Sequence, residues 1–316
     1  MLLYIVKRLL GIVAILLVMS VLIFAITQVM PGNVATLLAG QFADPATVAA
    51  LEAKLGLDRP AYVQYWHWIS GVLQGDLGQS LVMERPVGPL VLDAFRSSAI
   101  LAIAAFVLVA VAGIGFGIVA AVKQDSAVDH GLAMVSYLGV AVPEFFWGII
   151  GIIVFARYLD WLPSGGQGDL SQGLLSWASH LVLPVLTLTF TLVAHVSRLT
   201  RSSMIDALRS QYVRNARAKG LSERRVVYGH ALPNALMPTI TVLAIDVGWL
   251  LGNIVVVEAV FSYPGIGRLL LFAIERHDLP LLQAGILLIA AVYCLANLGA
   301  DLLYSAVNPK IRYGTL

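Results

Sequence analysis

The sequence predicts an all-α membrane protein with six spanning helices, and three observations carry that prediction. Of 316 residues, 59% are hydrophobic and only 12% charged, against about 25% charged in ordinary soluble domains. A chain this apolar cannot hide its surface inside one water-facing globule. Apolar runs of about 20 residues, enough to cross roughly 30 Å of hydrocarbon, recur at about Leu9–Val29, Ser98–Val122, Gly131–Tyr158, His180–Val196, Leu236–Val257 and Pro280–Tyr304. Backbone in lipid must satisfy its own polar groups, so runs this long are helices and not barrel strands. The lysines and arginines between runs are also unevenly shared. Thirteen of the 20, among them Lys7, Arg8, Lys123, Lys310 and Arg312, fall on the side that both termini share. That places both termini in the cytoplasm.

Taken in order, the first run follows Lys7-Arg8 and is longer than the apolar stretch of a cleaved secretory signal, so it reads as a retained span (1–30). A long external segment follows (31–97). In it Asp44 suits a helix N-cap, Pro45 the first helical position, Ala46 to Leu55 a helical body and Gly56 the exit. Tyr62, Tyr65, Trp66 and Trp68 then fit a helix lying at the membrane boundary, where amphipathic rings prefer to sit. Interfacial anchoring is the plainer reading of those rings, ahead of ligand contact.

The remaining five spans form a core, 98–305, ahead of a short tail, 306–316. Within that core the segment 198–233 is too long for a mere connection. It carries eight basic residues against two acids, Asp206 and Glu223. Ser210 to Lys219 favours a helix, Gly220 a break, and Ser222-Glu223 the start of a second helix that runs to Leu232 and stops at Pro233. Two helices joined by a glycine turn and returning to the membrane make a lever.

Other chemistry is sparse. Cys294 is the single cysteine, which excludes a disulfide framework or a CxxC site. The histidines His67, His130, His180, His195, His230 and His277 show no metal-ligand spacing, and no GxxxxGK[ST] phosphate loop exists to bind ATP. The basic balance is membrane topology and gives no sign of nucleic-acid binding.

The lever stretch, Arg214-Asn215-Ala216-Arg217-Ala218-Lys219-Gly220 and then His230-Ala231-Leu232-Pro233, resembles the coupling signature of bacterial binding-protein-dependent ABC importer permeases. That pattern is Glu-Ala-Ala, three residues, Gly, nine residues, Ile, one residue, Leu-Pro. Ala216, Gly220, Leu232 and Pro233 match it, whereas Arg214, Asn215 and His230 depart from it. Leu55-Gly56-Leu57-Asp58-Arg59-Pro60, Gln64-Tyr65-Trp66 and Gly75-Asp76-Leu77-Gly78 with Ser80 are similar to the first external loop of the dipeptide, oligopeptide and nickel branch, first permease type. Val260-Phe261-Ser262-Tyr263-Pro264-Gly265-Ile266-Gly267-Arg268 resembles its outer-mouth sequence, and Asn308-Pro309-Lys310-Ile311-Arg312 its tail.

The resemblance implies a multi-pass bacterial inner-membrane permease of the type I importer fold, itself no enzyme. Its partners would be a second homologous permease, two cytoplasmic ATPase subunits that hold the ATP and Mg, an external substrate-binding protein and membrane lipids. Arg214, Asn215, Ala216, Arg217, Lys219, Gly220, His230, Leu232 and Pro233 would then couple to the ATPases. Ala216 would seat the helix in a partner groove, and the basic side chains would pair with acids at its rim. The cargo would be di- or oligopeptides, with glutathione-like peptides or chelated nickel as the alternative.

Carboxylates within spans are costly and should face partners or water; the sequence places Glu144, Asp246 and Asp301 there. Asp246, on a span that also carries Asn253, is a candidate for meeting a peptide's ammonium group, against the plainer reading of a structural acid bonded to a neighbouring helix. Glu144 follows Pro143 and suits a kink, and Asp301 lies near water. Gly248 and Gly252, and Gly113, Gly115 and Gly117, suit close helix packing. Tyr263-Pro264-Gly265-Ile266 suits a type II turn, with Phe261, Tyr263, Pro264 and Gly265 shaping an outer gate. A proton-coupled secondary transporter using the three acids would show duplicated halves with broken helices, and no duplication is present. An intramembrane enzyme would need a nucleophile motif, an acid pair or a metal set, and a bare channel would have no use for the lever.

Overall fold

The computed structural model describes residues 2–29, 34–40 and 43–307. Nearly all of them are helical. The helices are α1 (Leu2–Val29), α2 (Val34–Ala39), α3 (Pro45–Leu55), α4 (Ala61–Leu73), α5 (Val87–Val122), α6 (Ala127–Ala141), α7 (Glu144–Tyr158), α8 (Leu174–Arg209), α9 (Gln211–Ala218), α10 (Glu223–Val260), α11 (Ile266–Arg276) and α12 (Leu279–Val307). Five are long and apolar enough to span a membrane: α1, α5, α8, α10 and α12. The tail motif at 308–312 lies outside the described residues.

The sixth expected span differs from its prediction. Gly131–Tyr158 is not one helix but the pair α6 and α7, bent by 104°. Pro143 is the cause. Its ring disfavours the helical region for the preceding residue, and Val142 is extended at φ −112°, ψ 133°. Several spans also run longer than the apolar pattern suggests, because helix continues past the hydrocarbon-compatible stretch. Thus α8 reaches Arg209, where the apolar run stops near Val196.

The chain divides into two units. The first comprises Met1–Ser98 and Pro264–Leu295. Its core gathers Val87, Val91 and Ala94 of α5, Ile266 and Ala273 of α11, and Leu281, Leu282 and Ala284 of α12. Fully buried Asp278 ties this unit together. It accepts a 2.5 Å hydrogen bond from the Ser80 hydroxyl and others from the Val82 and Leu281 amides. Ser98 in turn accepts from the Ile266 amide.

Tyr65 of α4 bonds Ser20 of α1 and packs edge-on to Phe24, while Tyr62 and Trp66 are well exposed. One face of α4 therefore packs and the other carries the exposed rings. Asp44 stands at the α3 N-cap, but its side chain makes no capping bond, and Gly56 ends the helix in the left-handed region.

The second unit comprises Ala99–Tyr263 and Ala296–Leu316. Helix α8 is its axis, with α5, α6, α7 and α10 packed on it. Helices α5 and α8 approach closely at Gly113 and Gly117. A side chain on Gly113 would lie 2.7 Å from Val196, and one on Gly117 would meet Thr200 and the Ser197 carbonyl. Gly115 and Gly252, by contrast, face open space.

The expected type II turn at Tyr263–Ile266 is not there. Gly265 is extended, with φ −98° and ψ −179°, and leads into α11, whereas a type II turn needs positive φ at that position. Ahead of it Ser262 takes φ +49°, in the left-handed region. Phe261 and Tyr263 are buried. Burial, with Glu258 nearby, pushes the Tyr263 phenol up to about 12, so it stays a neutral hydroxyl.

Candidate functional site: the elbow and the broken span

Residues 210–233 fold as an elbow. Ser210 is extended and ends α8, and α9 runs to Ala218. Gly220 then takes φ +75°. Its amide bonds the Arg217 carbonyl, and the Leu221 amide bonds that of Ala216. This is a Schellman closure, which needs a left-handed residue that glycine supplies at no steric cost.

The return arm corrects the sequence reading. It does not stop at Pro233 but continues through it as α10, after a π-helical turn at Val226–Ala231. A π turn widens the helix by one residue, and it lies just ahead of the position where proline offers no N–H and its ring crowds the preceding turn. The elbow is thereby continuous with a membrane span.

Ala216 also faces the opposite way from its expected role. It is buried with Val213, beside Met204 of α8, Ala121 of α5, and Val226, Val227 and Ala231 of the return arm. Spaced three apart, Val213 and Ala216 form the inner stripe of α9. The outer face carries Tyr212, Arg214, Asn215 and Lys219, and the exposed rings of Tyr212 and Tyr228 went unnoticed in the sequence. Arg217 spans the turn, its guanidinium meeting the Glu223 carboxylate at 2.7 and 3.2 Å and reaching the Leu208 carbonyl. His230 and Leu232 are half-buried and Pro233 is exposed.

Two acid–base pairs join other helices to α8. Buried Asp129 of α6 receives both Nε and Nη2 of Arg201, each at 2.6 Å, and accepts the Asp125 amide as well. Neither partner was singled out from sequence, since 72 residues separate them. Asp246 of α10 is nearly as buried, and its nearest base is His195 of α8, with Nδ1 3.8 Å from Oδ1. Its Oδ2 has no hydrogen-bond partner. On α7, just past the break, Glu144 Oε2 and Trp147 Nε1 are likewise buried without partners, and the Trp147 ring sits edge-on to Phe190 of α8. Asn253 is half-buried on the same helix as Asp246. Among the described residues, no cluster of three or more His, Cys, Asp or Glu could hold a metal.

A family model described as "binding-protein-dependent transport system inner membrane component" matches residues 113–313, and the N-terminal model of the same kind matches 1–102. The chain belongs to this family of ABC importer permeases. This permease is 42% identical over 313 residues to the glutathione transport system permease protein GsiC of Escherichia coli O6:H1, covering 99% of this chain and 100% of that one. It is 41% identical to the protein of the same name in Salmonella choleraesuis, at the same coverage. Among solved structures, the MetNI methionine ABC transporter in inward-facing conformations matches with TM-score 0.56 at 14% identity, over 69% of this permease and 96% of that chain. That likeness concerns the fold. The permease is thus a multi-pass inner-membrane subunit of an ABC importer, and the family implies ATPase and binding-protein partners.

Proposed function

We propose that this permease forms half of an inward path for short peptides, glutathione-like ones included, and that partner ATPases drive it through the elbow. The observation that carries the proposal is the conjunction of 42% identity to glutathione permeases along 99% of the chain with an elbow whose return arm continues into a membrane span. In this reading both termini and the elbow face the cytoplasm, as the excess of basic residues there implies. A second, homologous permease completes the path, and ATP with Mg is held by the ATPases alone.

The elbow's outer face suits such a partner. Exposed Tyr212, Tyr228 and Arg214 are of the residue types enriched at protein interfaces, and Lys219 adds positive charge beside them. Ala216 contributes from inside, because its small side chain lets α9 lie close against Met204 and Val227. Phe261, Tyr263, Pro264 and Gly265 remain candidates for the outer gate, with Phe261 and Tyr263 buried.

The cargo is tested by isolating the native complex with its binding protein and identifying the bound ligand by mass spectrometry. A short peptide or glutathione is expected. A nickel chelate would overturn the peptide reading while leaving the permease reading in place. Orientation is tested with cysteines introduced singly at exposed Lys54 and Lys219 in a Cys294→Ala background. Only the first should react with an impermeant reagent applied to intact cells, and reaction of both would refute the topology.

A further inference from the structure

Among the described residues of the second unit, the buried side-chain polar atoms left without partners lie on two helices, α7 and α10, that pack on each other and on α8. Asp246 Oδ2 is the most deeply placed, its side chain only 7% exposed. An unpaired carboxylate oxygen in such a place is costly, and a charge inside a membrane span marks a functional site unless a partner is found. Here the nearest partner, His195, stands too far off for a hydrogen bond and is itself half exposed.

His195 lies at the end of the apolar run of α8, beside Val196, while Asp246 lies near the middle of the apolar run of α10. At that edge the half-exposed imidazole can reach water, while Asp246 behind it stays buried. The break at Val142–Pro143 points the same way, since irregular backbone at membrane depth occurs only where it is buried in protein or lines an aqueous cavity. Glu144 opens α7 directly after that break.

We propose that Asp246, covered by the movable ring of His195, is a recognition site for a primary ammonium group of the cargo. This rests on the peptide-import reading and names the atoms that would serve it. Asp246 supplies the anionic oxygen, and its Oδ2 is the acceptor that an –NH₃⁺ donor would satisfy. His195 occupies the entrance and swings aside as the ammonium arrives. Asp246 is then a substrate-binding residue, and His195 a positioning residue that acts through it.

Two measurements on the assembled importer test this. In the first, His195→Cys in a Cys294→Ala background is treated with ethylammonium and with sulfonatoethyl methanethiosulfonate, and rates are corrected for those with free thiol. The cation should react at least tenfold faster than the anion, and adding Asp246→Asn should abolish the preference. Equal rates, or no reaction with either reagent, would overturn the site. No cargo is involved, so this result is independent of what the importer carries.

In the second, proteoliposomes containing the complex and its binding protein are offered radiolabelled glutathione and dialanine. The assembled Asp246→Asn complex should take them up at least tenfold more slowly, with part of the rate recovered by Asp246→Glu. Wild-type uptake by the assembled Asp246→Asn complex would sink the proposal, and so would loss of assembly by both variants combined with equal reagent rates. Failure of the wild type to take up either probe would count instead against peptide import.

Discussion

Helix α8 offers one base to each of two buried carboxylates, six residues apart, and the two pairs could hardly be more different. Arg201 grips Asp129 with two bonds of 2.6 Å and leaves no oxygen idle, since the Asp125 amide fills a remaining position. His195 stands 3.8 Å from Asp246 and leaves Oδ2 bare. The first arrangement is complete without any ligand, so its energy goes into holding α6 on α8. The second leaves one carboxylate oxygen without a partner among the described residues, which is the opening the ammonium proposal uses. Burial alone would have ranked the two acids together. The count of satisfied oxygens separates a fastening from a site.

The comparison can be broken by substitution. The largest effect is expected for Asp129→Asn, which leaves the Arg201 guanidinium facing a neutral amide in a buried place. Loss of one member of a buried pair costs about 3–5 kcal/mol, and because Arg201 is a third exposed about 3 kcal/mol is the better figure. Thermal unfolding of the purified permease in detergent should show a clear drop. Gly117→Ala should follow, at about 1–3 kcal/mol, because the added methyl meets Thr200 and the Ser197 carbonyl, and only a shift of α5 away from α8 relieves it. Smallest of the three is Asp246→Asn, with a stability change below about 1 kcal/mol in either direction, since no made hydrogen bond is removed. If Asp246→Asn destabilised as much as Asp129→Asn, the distinction between fastening and site would fall.

Legibility in the sequence followed the range of the interactions. The membrane fold, the long spans and the glycine turn at Gly220 could all be read, because each depends on neighbours within about one helical turn or on a long apolar run. Pro143 carried the signal for the broken span, yet the apolar run across it masked the bend. Pro233 was read as a stop because proline usually is one, and the π turn that lets the helix pass through it has no clear residue signature. The inward direction of Ala216 could not be read at all. Which stripe of α9 faces the chain is decided by Met204, Ala121 and Val227, residues supplied by three other stretches. For the same reason the Asp129–Arg201 pair was missed, its members lying 72 residues apart on different helices.

The central claim is that energy from partner ATPases enters through the elbow, and Gly220 is where it can be tested with least disturbance elsewhere. No atom lies within 4 Å of the place a side chain would occupy there, so a substitution adds no clash, only the cost of holding φ at +75°. For a β-branched residue that cost is about 1–2 kcal/mol or more, enough to open the turn between α9 and the return arm. ATP-driven uptake by the assembled complex in proteoliposomes, with binding protein saturating, should therefore fall at least tenfold for Gly220→Val while membrane insertion and pairing of the permeases persist. Uptake at the wild-type rate by a fully assembled Gly220→Val complex would contradict the account, for it would mean that the elbow sets topology and transmits nothing.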